Sequence, residues 1–216
     1  MNIALIGASG FVGSATLKEL VYRGHQVTAI ARHPEKIPGN PKVKPVKADA
    51  MDPDQIAEAV KGQDAVISTF NAGWDNPDIY QDFLKGSKSI QEGVKKSGIK
   101  RLIIVGGAGS LYVADGVQLV DSPDFPEAWK AGALSARDYL NELRKETDLE
   151  WTFLSPAIEM NQSTAGVRTG SYRTGLENPV FDEQGKSVIS VEDIAVALVD
   201  EVEHPKHIRQ RFTVAW

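Results

Sequence analysis

Asn2-Ile3-Ala4-Leu5-Ile6-Gly7-Ala8-Ser9-Gly10-Phe11-Val12-Gly13 opens the chain, and its reading decides the fold. A short apolar run ends in three glycines, and Ser14-Ala15-Thr16-Leu17-Lys18-Glu19-Leu20 continues with helical spacing. The order is strand, tight turn, helix. Gly7 lets the chain turn off the strand, Gly10 lets the backbone approach a phosphate, and Gly13 lets helix pack on strand. The free N–H groups and positive dipole end of the helix then form a site for a pyrophosphate. The spacing is GxxGxxG rather than GxGxxG, so the glycines alone indicate only a phosphate-binding turn.

Outward from this stretch, strands and helices alternate. Strands are expected at Val27–Ala31, Val43–Ala48, Asp64–Phe70, Arg101–Val105, Trp151–Leu154 and Arg211–Ala215. Pro45 marks the third strand as an edge or a strand start. Helices are expected after Asp52-Pro53 to Val60, from Asp78 to Ser97 with Gly98 as the stop, from Glu127 to Lys145, and from Ser190-Val191-Glu192-Asp193, which resembles a capping box, to Val202. This rhythm implies right-handed crossovers and a three-layer, doubly wound α/β fold with a mostly parallel sheet. Residues 106–126 form a long loop, of the kind that is functional or disordered. Residues 156–187 lack a core of their own and read as a small substrate-side lobe of a single domain covering 1–216.

Bulk properties exclude several classes. The 216 residues are 42% hydrophobic and 25% charged, with a formal net charge of -5. That acidity argues against nucleic-acid binding, and no run approaches the ~18 apolar residues of a membrane span. Zero cysteines exclude thiolate metal sites and disulfides and suit a cytoplasmic protein. His25 reads as a turn residue, and His204 and His207 as surface residues, so no metal site is supported. The expected partner is a small-molecule acceptor, and the chain is expected as monomer or homodimer.

Ligands of open parallel sheets sit beyond the carboxyl ends of the strands. This rule selects Gly7, Ser9, Gly10, Phe11 and Val12; Asp49 and Ala50; Thr69, Phe70 and Asn71; Gly107; and Ser155, Pro156 and Ala157. Arg32 is the informative residue. An acid at this strand end would hold the ribose 2′-hydroxyl of NAD, whereas arginine offers a 2′-phosphate a bidentate charged contact, so NADP(H) is favoured over NAD(H).

Several phrases make the pattern specific. The glycine stretch, Arg32, Asp49 and Ser155-Pro156 resemble the atypical short-chain dehydrogenase/reductase superfamily. Leu149-Glu150-Trp151-Thr152-Phe153-Leu154-Ser155-Pro156-Ala157, Arg168-Thr169-Gly170-Ser171-Tyr172-Arg173, Ile189–Ala195 and Arg209–Val214 are similar to its branch of NADH-flavin reductases related to biliverdin reductase B. The resemblance covers essentially the whole chain. It implies an NAD(P)-binding Rossmann fold, adenine contact at Asp49-Ala50, and nicotinamide beside the fourth and fifth strand ends. It also implies a serine role for Ser110, hydrogen-bonding an acceptor carbonyl.

One departure matters. Most members of the superfamily carry a Tyr-x-x-x-Lys pair for proton transfer, yet none of the five tyrosines here has a lysine four residues later. Aligning the helix by its pattern puts Trp129 and Ala133 at those positions. Hydride transfer from NADPH to a flavin or similar conjugated acceptor needs mainly positioning and survives this loss. Trp74, Tyr112 and Trp129 offer aromatic faces for such a ring. The other readings are a non-catalytic NADP-binding redox sensor and an epimerase or dehydratase with tightly held cofactor.

Overall fold

The first strand shows how the sheet is covered. In β1 (Asn2–Ile6), Ile3 and Leu5 face one way and Ala4 and Ile6 the other, yet all four are buried. A strand buried on both faces must lie inside three layers. The computed structural model, which describes residues 1–216, shows those layers. Ile3 and Leu5 pack beneath Leu17 and Leu20 of α1 (Phe11–Tyr22) and Ile194, Leu198 and Val202 of α5 (Val191–Glu203). Ala4 and Ile6 join a second core under α2 (Pro53–Val60), α3 (Ile79–Ser97) and α4 (Glu127–Leu143), filled by Ile56, Phe83, Ile90, Tyr139 and Leu143. Each large apolar side chain buried this way contributes about 1.5–3 kcal/mol.

The main sheet has the order β3-β2-β1-β4-β5-β8-β10-β9. Its parallel members are β1, β2 (Gln26–Ala31), β3 (Val43–Lys47), β4 (Ala65–Ser68), β5 (Arg101–Val105), β8 (Glu150–Ser155) and β10 (Gln210–Ala215). β3 is the edge that Pro45 announces, with exposed Lys44 and Lys47 discouraging further pairing. The chain winds outward from β1 through β2 and β3, then returns through α2 to β4 on the other side of β1. The reversal opens a crevice beyond the carboxyl ends of β1 and β4, where open α/β sheets bind ligands.

Local signals explain most boundaries. The Asp52 side chain accepts from the Asp54 and Gln55 N–H groups and starts α2. Gly98, at φ 83, ends α3 in the left-handed region. The expected strand Asp64–Phe70 shortens to Ala65–Ser68, because Phe70 leaves the sheet to stack on Phe83. Three expectations change more. Residues 106–126 are not a bare loop but contain a hairpin, β6 (Tyr112–Ala114) and β7 (Val117–Gln118). The 156–187 lobe carries β9 (Arg173–Gly175), which adds to β10 antiparallel. At α5 only half a capping box forms: Ser190 Oγ accepts from the Asp193 N–H at 3.0 Å, but the Asp193 carboxylate serves Thr169, Gly170 and the Trp216 indole instead.

Two histidines also sit deeper than expected. His25 is buried in its turn with Nε2 2.8 Å from Glu203. His207 is half-buried, Nδ1 2.8 Å from the buried Glu201, and stacked on Phe212. No group of three or more histidines and acids has the geometry of a metal site, and no helix is long and apolar enough to cross a membrane.

Candidate functional site

The glycine turn is tightly determined. Gly7 holds φ +81, and a Cβ there would lie 2.8 Å from Thr69 Oγ1. A Cβ on Gly13 would lie 2.0 Å from the Gly7 carbonyl oxygen, so helix and turn touch backbone to backbone. Thr69 closes the floor by donating its hydroxyl to Ile6 O at 2.9 Å. Gly10 differs: a Cβ there would meet only Gly7 O, at 3.3 Å. The turn therefore needs little of Gly10's bareness for itself, and leaves it as open space on an exposed surface.

α1 begins without a cap. Gly10 at the N-cap offers no side-chain acceptor, and no acid stands in the first turn. Its first amides are left for an outside acceptor, and the helix dipole favours that acceptor being an anion. Ser9 is exposed and Phe11 and Val12 half-buried around this opening. These features fit the pyrophosphate of a dinucleotide.

One strand over, Arg32 follows the end of β2, exposed and engaging no partner within the chain. The nearby acid, Glu35, is instead paired with His33 Nδ1 at 3.1 Å. Asp49 turns its Oδ1 to the Met51 N–H at 2.9 Å and presents its exposed edge beside buried Ala50. Phe70, half-buried, turns its ring toward α3, over Gly86 and against Phe83. Asn71 is exposed, with Oδ1 accepting from the Gly73 N–H. Gly106 is obliged to be bare by the Phe153 ring, 1.9 Å from any added Cβ, and Gly107 follows it half-exposed. Ser155, Pro156 and Ala157 are buried at the end of β8, and the Ser155 hydroxyl has no partner in the chain.

Ser110 has a different occupation from the expected one. It is 1% exposed, and its Oγ accepts from Arg211 Nη1 of β10 at 3.1 Å. By this point the chain has left the strand ends and runs down over α4 and β10, so the hydroxyl fastens the loop rather than facing an acceptor. Sequence reading missed Arg211. The available signal was an arginine inside the strand run Arg211-Phe212-Thr213-Val214.

Trp74 and Trp129 are 58% and 55% exposed. The Trp74 indole lies across Gly132, where a Cβ would come within 2.7 Å of its ring, and Trp129 stands one turn earlier on α4. The two indoles thus border the same stretch of α4, at the end where the β4 and β5 loops emerge. Tyr112 is half-buried in the hairpin, its N–H bonded to Glu177 O. Ala133 is buried against Gly109, where an added Cβ would lie 2.8 Å away, which leaves no room for a long amine.

Comparisons with known proteins agree with this fold. YwnB of Bacillus subtilis (strain 168), an uncharacterized protein, is 39% identical over 99% of this chain and 98% of its own length. A crystal structure from Bacteroides thetaiotaomicron, provisionally named an epimerase, is 49% identical, with a TM-score of 0.91, covering 100% of this chain and 96% of that one. Another, from Streptococcus pneumoniae and provisionally named an NADH-flavin reductase, is 38% identical, with a TM-score of 0.85, covering 100% of this chain and 99% of that one. A family model described as NAD(P)H-binding matches residues 7–205, from the first glycine of the turn to beyond α5. The chain is therefore a member of the NAD(P)H-binding family, with a Rossmann fold.

Proposed function

We infer that the protein is an NADPH-dependent reductase that passes a hydride to a flavin or a similarly flat, conjugated acceptor. The observation that carries the cofactor preference is Arg32, a free guanidinium beside an uncapped helix N-terminus. A 2′-phosphate there gains a charge-assisted fork, and the nearby Glu35 carboxylate is taken up by His33. Bound NADPH supplies the hydride. The chain's own residues bind and orient: Gly7–Val12 take the pyrophosphate, Asp49-Ala50 flank the adenine, and Thr69–Asn71, Gly107 and Ser155–Ala157 line the nicotinamide half.

The acceptor reading rests on what the α4 position holds. Trp129 has no exchangeable proton of suitable acidity, and Ala133 is packed shut. Carbonyl reduction through a tyrosine–lysine pair is thus disfavoured, while a ring that accepts hydride and takes its proton from water needs only a surface to lie on. Trp74 and Trp129 supply that surface, whereas Tyr112, bonded to Glu177 O, stands away from the strand ends. The protein named as an NADH-flavin reductase supports this reading. The one named as an epimerase favours a second reading, but epimerisation also needs a proton-handling group at the position Trp129 holds. The absence of cysteine and of membrane-crossing helices fits a cytoplasmic enzyme acting on a small molecule.

The test is to mix the purified protein with NADPH and a panel of FMN, riboflavin and quinones, and follow nicotinamide absorbance. Oxidation that requires both protein and acceptor is expected. Tight NADPH binding with no acceptor reduced would overturn the catalytic reading and favour a redox sensor.

A further inference from the structure

At the opposite, amino-terminal end of the sheet, β8, β10 and the C-terminus of α4 border a cavity of about 470 Å³ that is open to solvent. Arg144, Arg209, Arg211 and Glu177 line it, with Trp151 as an apolar floor and Leu176 half-exposed at its rim. Three arginines and one carboxylate line it, a local charge of +2.

The donors are only partly used. Glu177 accepts from Arg144 Nη2 through both oxygens, at 3.0 and 2.9 Å, and also pairs with Arg211. Arg211 is buried, with Nη1 on Ser110 Oγ and Nη2 on Glu177; its Nε, closed off from solvent while Glu177 is in place, has no hydrogen-bond partner. Arg209 gives Nε and Nη2 to the carbonyls of Leu149 and Thr147, leaving Nη1 free. Its backbone holds φ 55, the only non-glycine residue with positive φ. That conformation costs free energy unless the surroundings impose it, and it sets Arg209 at the cavity edge with its guanidinium braced on the Leu149 and Thr147 carbonyls. A buried guanidinium with a spare donor, beside two more that are exposed, is an incomplete charge arrangement. An oxyanion completes it, and a dianion matches its charge.

We propose that this cavity binds a phosphoryl dianion, with Arg144, Arg209 and Arg211 as its ligands and Glu177 as the internal carboxylate it displaces. The inference is independent of the reductase reading, because the cavity lies at the other end of the strands from the glycine turn. Displacement has a route to the rest of the molecule. Glu177 O holds the Tyr112 N–H at 2.9 Å, and Asn178 Nδ2 donates to Tyr112 O at 2.8 Å. Moving the 176–178 segment therefore releases the hairpin that begins with Tyr112.

Phosphate also suits the N-terminus of α1, so the experiment must resolve residues. Inorganic phosphate is titrated into the intact protein while nitrogen–proton NMR follows the Arg211 Nε–H, the Trp151 indole and the Leu176 and Glu177 amides. Saturable shifts of these signals are expected. Arg144→Gln, at an exposed residue, should weaken them about tenfold, in keeping with the loss of one charge-assisted contact. Glu177→Gln should strengthen phosphate binding by removing the competitor, whereas a purely structural ion pair predicts no gain. Benzoate serves as the monoanionic, apolar control and should bind more weakly. Failure of phosphate to shift these signals, shifts that both variants leave unchanged, or tighter benzoate binding would each overturn the proposal.

Discussion

Arg168 places Nε and Nη2 each 2.8 Å from the two carboxylate oxygens of Glu19, joining a loop without a core of its own to the buried side of α1. Glu19 is 4% exposed and also receives Arg23 Nε at 2.7 Å. Tyr172 adds a hydrogen bond to Asp200, and Glu192 and Asp193 accept from Gly166, Thr169 and Gly170. Acids on α1 and α5 tie down the lobe, alongside the packing of Met160, Tyr172 and Val180 on the core of the sheet.

Lowering the pH should therefore free the lobe before the sheet melts. The Arg168 hydrogen bond holds the Glu19 carboxyl below its ordinary value of 4.5, with Arg23 adding to it against the opposing effect of burial. A depressed folded-state pKa means that the contribution is complete above the ordinary value and is lost as pH falls through the lower one. Protease sensitivity within 156–187 should rise below about pH 4.5 while the far-ultraviolet circular dichroism still reports native helix. Glu19→Gln should show the same sensitivity at neutral pH and cost about 2 kcal/mol in denaturant unfolding.

Gly10 and Gly13 should respond oppositely to alanine. Gly13→Ala drives a methyl into the Gly7 carbonyl and should cost about 3 kcal/mol or more of stability. Gly10→Ala meets one oxygen at 3.3 Å and should change stability by no more than about 1 kcal/mol, while sharply weakening dinucleotide binding. Unfolding curves and NADPH fluorescence titrations separate the two effects. Equal loss of stability in both variants would remove Gly10 from the ligand site.

Arg32→Asp should weaken NADPH binding by about tenfold or more, the scale of a charge-assisted fork, and leave NADH nearly unaffected. The ratio of the two dissociation constants is the measurement. An unchanged ratio would place the 2′-phosphate elsewhere.

Trp129→Ala and Trp74→Ala should raise the acceptor KM without altering NADPH affinity, because both indoles border the open end of α4. Gly132→Ala should act on Trp74 indirectly: the added methyl falls 2.7 Å from the indole, so tryptophan fluorescence and acceptor KM should shift together.

The parallel sheet was legible in the sequence because its signals are local. Apolar runs such as Arg101–Val105, the Asp52 cap and the Gly98 stop each act within a few residues. The glycine turn was legible for the same reason, with Gly7 and Gly13 only six positions apart. What escaped depends on partners distant in the chain. Arg211 reaches Ser110 across 101 residues and turns an expected reacting serine into a fastening. Asp193 looked like a capping residue, but its carboxylate is claimed by Thr169 and Trp216. The β9 strand is three residues long and exists because β10 offers an open edge, so no periodicity announces it.

The contact between Gly7 and Gly13 has a consequence for how such a protein can change. With 2.0 Å between one residue's missing Cβ and the other's carbonyl, neither position tolerates variation unless the other moves as well. Arg32, a short step away, touches nothing that the fold depends on. On the function proposed above, the molecule keeps a rigid grip on what all pyridine dinucleotides share, and leaves the feature that distinguishes them to a side chain replaceable in a single mutational step.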